Sequence, residues 1–296
     1  LMVARLISRI RDVLNIELAF RITFENPTLA GLSRHLLRAL SGSGRDSSPI
    51  QRRPPEMGLL PLSYAQERLW FLERWHMGSS GVYNIPSALR LKGHLDLEAL
   101  AGVLTQLEAR HEALRTRIQE DDGHLVQRIE EAVGCAIECE ALAEGESEAS
   151  WLASKARAAF DLTGGPLWRV SVLRVAARHH LLILVVHHLI ADGWSMELLE
   201  RELEAGYGAR LRGEAWRGQR PPVQYADYAV WQRARLQGER LSALLAHWRE
   251  ALGGGEGVSP PAQQARPAVQ SFRGAVLRRQ LPLALRGDLQ GLCRET

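Results

Sequence analysis

Apolar positions Val3, Leu6, Ile7, Ile10, Val13 and Leu14 recur at helical spacing, so the chain is expected to open in an amphipathic helix over residues 1–14. Asn26 and Pro27 signpost a second helix, as an N-cap and a first helical position where the missing N–H costs nothing. Leu29, Leu32, Leu36 and Leu37 continue its stripe. Residues 41–56, SGSGRDSSPIQRRPPE, carry no periodicity and read as a linker. From Gly58 onward the pattern is globular. It predicts a helix over 63–75, a strand over 83–91, and a helix capped by Asp96 with Leu97, Leu100, Leu104 and Leu107 inward. Strands over 114–118 and 124–129 are joined through the turn Asp121-Asp122-Gly123. A helix over 151–160 and strands over 167–175 and 181–187 follow. The run LLILVV at 181–186 does not alternate, which predicts a strand at the centre of a sheet and covered on both faces. Then come a helix over 195–211, with Leu198, Leu199, Leu203 and Tyr207 inward, and helices over 225–237 and 241–252. Gly253, Gly254 and Gly255 stop the last of these; residues 258–270 are a Pro- and Gln-rich connector, 271–281 a strand and 283–294 a helix. Intermixed helices and strands around one apolar strand predict an α/β layered domain of about 200 residues, flanked by pieces of other units.

Composition narrows the function classes. The 296 residues are 46% hydrophobic and 24% charged, which excludes wholesale disorder. Thirty-seven basic residues against 34 acidic ones give a net charge of only +3, with the signs interspersed, so no stripe for nucleic acid stands out. The longest apolar run is far short of the ~20 residues that span a bilayer, so no membrane segment is expected. Cys135 and Cys139 have no second ligand pair and Cys293 is remote, which argues against both a metal site and an oxidised framework. No signal peptide precedes the opening helix, and the expected compartment is cytoplasmic.

The chemistry is concentrated in His187-His188-Leu189-Ile190-Ala191-Asp192-Gly193-Trp194-Ser195, between the apolar strand and the next helix. Side chains alternate along a strand, so one histidine faces a cleft and the other packs inside. Gly193 allows close backbone approach, and the N–H groups at a helix start can stabilise an oxyanion. Plainer readings exist: Asp192 as a helix cap, Trp194 as core. The dipeptide His179-His180, with no Asp-Gly after it, is assigned to a polar turn. These residues alone leave open an acyltransferase-like enzyme and a binding module.

HHLIADGWS resembles the HHxxxDG motif of nonribosomal peptide synthetase condensation domains, shared with chloramphenicol acetyltransferase-like enzymes. PLSYAQERLWFL (61–72), RHEALRT (110–116) and YADYAVW (225–231) resemble the family's first, second and fourth core motifs, in the right order. Residues 1–40 are similar to the last helices of a peptidyl carrier domain, with the phosphopantetheine-bearing serine expected just before Leu1. The resemblance implies carrier helices over 1–40, a linker over 41–58, an N-terminal condensation lobe over 59–252, a connector over 253–270 and the start of a truncated second lobe over 271–296. The fold implied is a chloramphenicol acetyltransferase-like lobe.

The function implied is amide formation, in which an aminoacyl amine on a downstream carrier attacks an acyl thioester on an upstream carrier. The arms are phosphopantetheine, no metal takes part, and an adenylation domain is an expected neighbour. Carried onto this sequence, His188 is catalytic as base or positioner, Gly193 N–H contacts the oxyanion, and His187 is structural. Asp192 is expected in a buried ion pair with Arg110 in preference to Arg115, whose rupture would cost ~3–5 kcal/mol. Ser63, Gln66 and Arg68 would shape the floor of the site or support the core. Trp194 ahead of Ser195 departs from epimerisation domains, two histidines depart from heterocyclisation domains, and SYAQERLW resembles the type joining two L-residues. The fragment alone is expected to be inactive. Competing expectations are a stand-alone acyltransferase of the same superfamily and a non-catalytic carrier-docking module.

Overall fold

A computed structural model describes residues 2–14, 16, 18–41, 49–54, 56–75, 81–216, 218–255, 272, 275, 277 and 279–295. The chain forms two compact units, Leu1–Gln51 and Arg52–Thr296.

The first unit has helices α1 (Met2–Leu14), α2 (Phe20–Glu25) and α3 (Leu29–Ser41). Ile7 and Ile10 of α1 bury against Ile16, Leu18 and Leu32. Val3 and Leu36 of the expected stripes pack partly buried against this cluster, whereas Val13, Leu29 and Leu37 are exposed. The cap of α3 is not Asn26. That residue closes α2, its Nδ2 donating to Ile22 O, and Thr28 Oγ1 accepts the N–H of Gly31 at 3.1 Å instead. The unforeseen short helix α2 takes up the polar residue that would otherwise start the next one.

The second unit contains β1 (Leu60–Pro61), α4 (Tyr64–Trp75), β2 (Asn84–Lys92), α5 (Leu97–Arg110), a single 3₁₀ turn (Glu112–Arg115), β3 (Thr116–Asp121), β4 (His124–Ile129) and β5 (Ile137–Ala141). It continues through α6 (Glu148–Arg157), β6 (Trp168–Ala176), β7 (His179–His187), α7 (Gly193–Leu211), α8 (Tyr225–Arg235), α9 (Gly238–Leu252) and α10 (Leu283–Glu295). The main sheet has the order β2-β7-β6-β5, antiparallel except for β5 beside β6, and a small antiparallel sheet has the order β1-β4-β3. The architecture is thus mixed α/β.

Strand β7 lies between β2 and β6, and Leu181 to Val186 are all buried. One face, Leu182, Leu184 and Val186, packs on Leu100, Val103 and Leu107 of α5 and Leu199 and Leu203 of α7. The other, Leu181, Ile183 and Val185, packs on Trp151 of α6. Cover on both faces is why the strand carries no polar alternation.

His179 and His180 are not a turn: both belong to β7, with His180 buried. The hairpin needs only Ala177 and Arg178, so the strand begins two residues earlier than its apolar run. Strands β1 and β5 are not foreseen in the hydrophobic pattern, being too short or too polar to signal themselves. Of the expected linker, residues 42–48 and 55 lie outside the described residues; so do 256–270 of the connector and most of the strand expected over 271–281.

Candidate active site

The site is built where β7 gives way to α7. Register carries His187 inward and His188 outward: His187 is 1% exposed, whereas His188 is exposed. His188 N donates to Tyr83 O at 2.8 Å, which continues the β2 pairing one residue past the strand. Leu189 N donates to His187 Nδ1 at 3.1 Å, and Ile190 N to His187 O at 3.1 Å. Leu189 itself sinks into a cluster with Leu62, Ile118 and Leu167. The loop is therefore held from below by a buried ring, two backbone bonds and one apolar anchor.

His187 accepts at Nδ1, so its proton is on Nε2, which has no hydrogen-bond partner among the described residues and lies 3.9 Å from Glu73 Oε2. Burial, with the neighbouring His188 charge, pushes its pKa down to about 4, and the ring is neutral at ordinary pH. Phe160 meets it edge-on at 6.0 Å.

His188 has the opposite arrangement. Its Nδ1 lies 2.8 Å from Ala191 O. A carbonyl can only accept, so Nδ1 carries the proton in the neutral ring and Nε2 keeps a lone pair for an outside donor.

Asp192 makes no pair with Arg110 or Arg115. It is exposed and caps α7, its Oδ1 accepting Ser195 N at 2.8 Å and Ser195 Oγ at 2.7 Å. Partial burial pulls its pKa up, but these two bonds and the His188 charge outweigh it, and the carboxyl sits below its usual range. Arg110 goes elsewhere: Nη1 pairs with Glu202 Oε2 at 2.9 Å, and its guanidinium lies over Trp216 at 4.0 Å. His111 Nε2 shares the same Glu202 oxygen at 2.7 Å. Arg115 stays near its own turn, with Nη1 donating to Glu130 O and Nη2 3.9 Å from Glu112 Oε1. The expected ion pair is replaced because the helix end offers Asp192 N–H and O–H donors three residues away, while Glu202, one helical face further on, meets both Arg110 and His111.

Gly193 is the first residue of α7, where backbone N–H groups lack intrahelical partners. A Cβ built there would meet nothing within 4 Å, so the space beside it is open. Ser63 and Gln66 bond each other reciprocally at the start of α4: Ser63 N donates to Gln66 Oε1 at 2.9 Å and Gln66 N to Ser63 Oγ at 3.2 Å. Gln66 Nε2 then reaches Leu189 O at 3.3 Å, and Ser63 Oγ lies 2.9 Å from Tyr225 OH. These two residues support the histidine loop. Arg68 does not; it is exposed on the outer side of α4.

Trp194 and Ser195 line a cleft of about 210 Å3 together with Ala191, Leu198, Gln224 and Tyr225. His188 is not among the residues that line it. The opposing wall is tied by groups that motif reading did not single out. Gln224 Oε1 accepts Glu112 N at 3.1 Å, Gln224 Nε2 donates to Arg110 O at 3.0 Å, and Gln224 N donates to Asp227 Oδ2 at 2.7 Å. No pattern in the sequence joins positions so far apart. No group of His, Cys, Asp or Glu able to hold a metal is found among the described residues, and no described helix is long and apolar enough to cross a membrane.

Residues 56–296 match the family described as "Condensation domain", and residues 1–36 match "Phosphopantetheine attachment site". The chain is 41% identical to a linear gramicidin synthase of Brevibacillus parabrevis over 303 residues, 100% of this chain and 4% of that protein. It is 38% identical to a dimodular nonribosomal peptide synthase of Bacillus subtilis (strain 168), over 99% of this chain and 12% of that one. Among solved structures, the X-domain from teicoplanin biosynthesis superposes with a TM-score of 0.67 at 33% identity, over 76% of this chain and 50% of that one. The starter condensation domain of rhizomide synthetase shares the fold, with a TM-score of 0.59 at 21% identity, covering 67% of this chain and 48% of that one. The chain thus spans a small part of its curated relatives and about half of the solved domains. It belongs to the condensation domain family of nonribosomal peptide synthetases, with a carrier-domain portion ahead of the condensation domain match.

Proposed function

We propose that this lobe forms an amide bond between two carrier-borne substrates: the amine of a downstream aminoacyl thioester attacks the carbonyl of an upstream acyl or peptidyl thioester. The supporting observation is His188, exposed at the end of β7 with Nδ1 occupied by Ala191 O and Nε2 turned out with a lone pair. An α-amine has a pKa near ~7.7–8.0, so a sizeable minority is already neutral at cellular pH. The nitrogen lone pair adds to the thioester carbonyl, the C–S bond breaks, and the thiol leaves on its arm. Nε2 accepts the amine N–H, as general base or as the acceptor that aligns the amine. General-base help is worth ~10²–10⁴, and holding both substrates in line contributes more. Gly193, the first residue of α7 with open space beside it, offers its N–H to the developing oxyanion.

The arms are phosphopantetheine, in keeping with the match over residues 1–36, and the reaction needs no metal. An adjacent adenylation domain loads the acceptor carrier, and the compartment is the cytoplasm. The order of Trp194 and Ser195 and the wording SYAQERLW favour joining two L-residues. The test is to incubate the full-length synthetase with donor- and acceptor-loaded carriers and look for the dipeptidyl thioester by mass spectrometry. Its appearance supports the proposal; intact loaded carriers with no dipeptidyl product would leave a docking module instead.

A further inference from the structure

By composition, the stretch after α3 has nothing to hold it. Yet Arg53 is bonded at two of its guanidinium nitrogens and at its backbone N–H. Its Nη1 pairs with Asp227 Oδ1 at 2.7 Å and its Nη2 with Glu112 Oε2 at 2.7 Å. Its backbone N–H also donates to Asp227 Oδ1, at 3.2 Å. The side chain is 13% exposed, that of Asp227 0% and that of Glu112 9%. Both residues are tied to the cleft wall: Asp227 Oδ2 accepts the N–H of Gln224, and the backbone N–H of Glu112 donates to Gln224 Oε1, while Glu112 Oε1 also lies 3.5 Å from Arg220 Nη2. A planar fork spanning two carboxylates, with a backbone bond beside it, is a fixed attachment and not a surface ion pair.

We propose that Arg53 is a positioning residue: it anchors the chain arriving from the N-terminal unit to the Glu112–Gln224–Asp227 wall, and so sets the point from which the upstream carrier delivers its thioester. This rests on the reaction proposed above. The connection that matters then runs from Ser41, the end of α3, to Arg53, a chain of 12 steps that reaches at most about 40 Å. Residues 54–59 lie behind the anchor and do not lengthen the tether.

The experiment uses Gly-Ser insertions of 12 residues in the full-length synthetase, with Arg53 intact. One is placed after Gln51, ahead of the anchor, and the other after Glu56, behind it. Condensation is measured with the donor on its own upstream carrier and, separately, with the donor acyl group supplied as a soluble pantetheine thioester. Doubling the connecting length dilutes a tethered group by about threefold. The insertion after Gln51 should therefore lower the tethered rate about threefold, and the insertion after Glu56 should leave it within ~20% of wild type. Neither should change the soluble-donor rate. In an Arg53→Gln background the free connection runs on to Leu60, 19 steps from Ser41, so the insertion after Glu56 should acquire a tethered loss of about twofold, measured against Arg53→Gln alone. Equal effects of the two insertions, including no effect of either, overturn the anchoring. A His188→Ala control that keeps wild-type turnover would overturn the reaction assignment instead, so the two failures are distinguishable.

Discussion

His188 Nδ1 lies 2.8 Å from the carbonyl oxygen of Ala191, three residues on in the same loop. That contact decides which nitrogen meets substrate. Nitrogen-15 spectra of the folded protein at pH 8 should show His188 with its proton on Nδ1 and His187 with its proton on Nε2. Finding the His188 proton on Nε2 would remove the lone pair on which the proposed chemistry depends.

His187 makes stability depend on acidity. Its pKa is about 4 in the fold, against about 6.5 in an unfolded chain. Between these values only the unfolded state takes up the proton, so the stabilisation is complete above pH 6.5 and is lost as pH falls towards 4. The linkage is worth about 3 kcal/mol over that window. Denaturant melts from pH 7 to pH 4 should show this loss in wild type and a flatter curve in His187→Asn. Parallel curves would mean that the buried ring does not titrate as described.

Asp192 acts as a cap. Asp192→Ala should cost about 0.5–2 kcal/mol, in place of the larger penalty expected for a buried ion pair, and Asp192→Asn should keep most of the stability. Because the carboxyl is held below its usual range, its contribution is full above the ordinary carboxylate pKa and is lost as pH falls through the depressed value. Thermal melts of the two variants settle the comparison; an equal, severe loss in both would point back to a charge pair.

Arg110 and Glu202 should be coupled, and Arg110 and Asp192 should not. In double-mutant cycles to Ala, the first pair should show an interaction energy above ~0.5 kcal/mol, while the second should be additive within ~0.5 kcal/mol. Coupling to Asp192 alone would contradict the observed pairing.

Gln66 carries the loop from the side of α4. Gln66→Leu leaves the carbonyl of Leu189 and the N–H of Ser63 without this partner, in a region where both residues are buried. The expected loss is about 1–3 kcal/mol, with faster hydrogen exchange in residues 188–192. Unchanged exchange there would mean that the loop is held without Gln66.

The central strand could be read in advance because six consecutive apolar residues admit one environment, and β7 has it. The inward and outward histidines follow from the same two-residue period. Partners across the fold could not be read. Nothing local distinguishes an aspartate that caps its own helix from one that reaches Arg110, and the choice was made by Glu202 on the next face of α7. Nor does composition show that one arginine in a Ser-, Pro- and Arg-rich stretch meets Asp227, 174 positions away. His179-His180 shows the converse: the dipeptide reads as a turn, but the hairpin closes at Ala177 and Arg178 and the strand starts two residues before its apolar run.

The most direct measurement is single-turnover amide formation by full-length synthetase carrying His188→Ala, with both carriers loaded. The expected result is a fall of ~10²–10⁴ in rate at unchanged thermal stability, since the ring is exposed and its loss leaves no cavity. A wild-type rate in the folded variant would contradict the assignment of His188 to the chemistry.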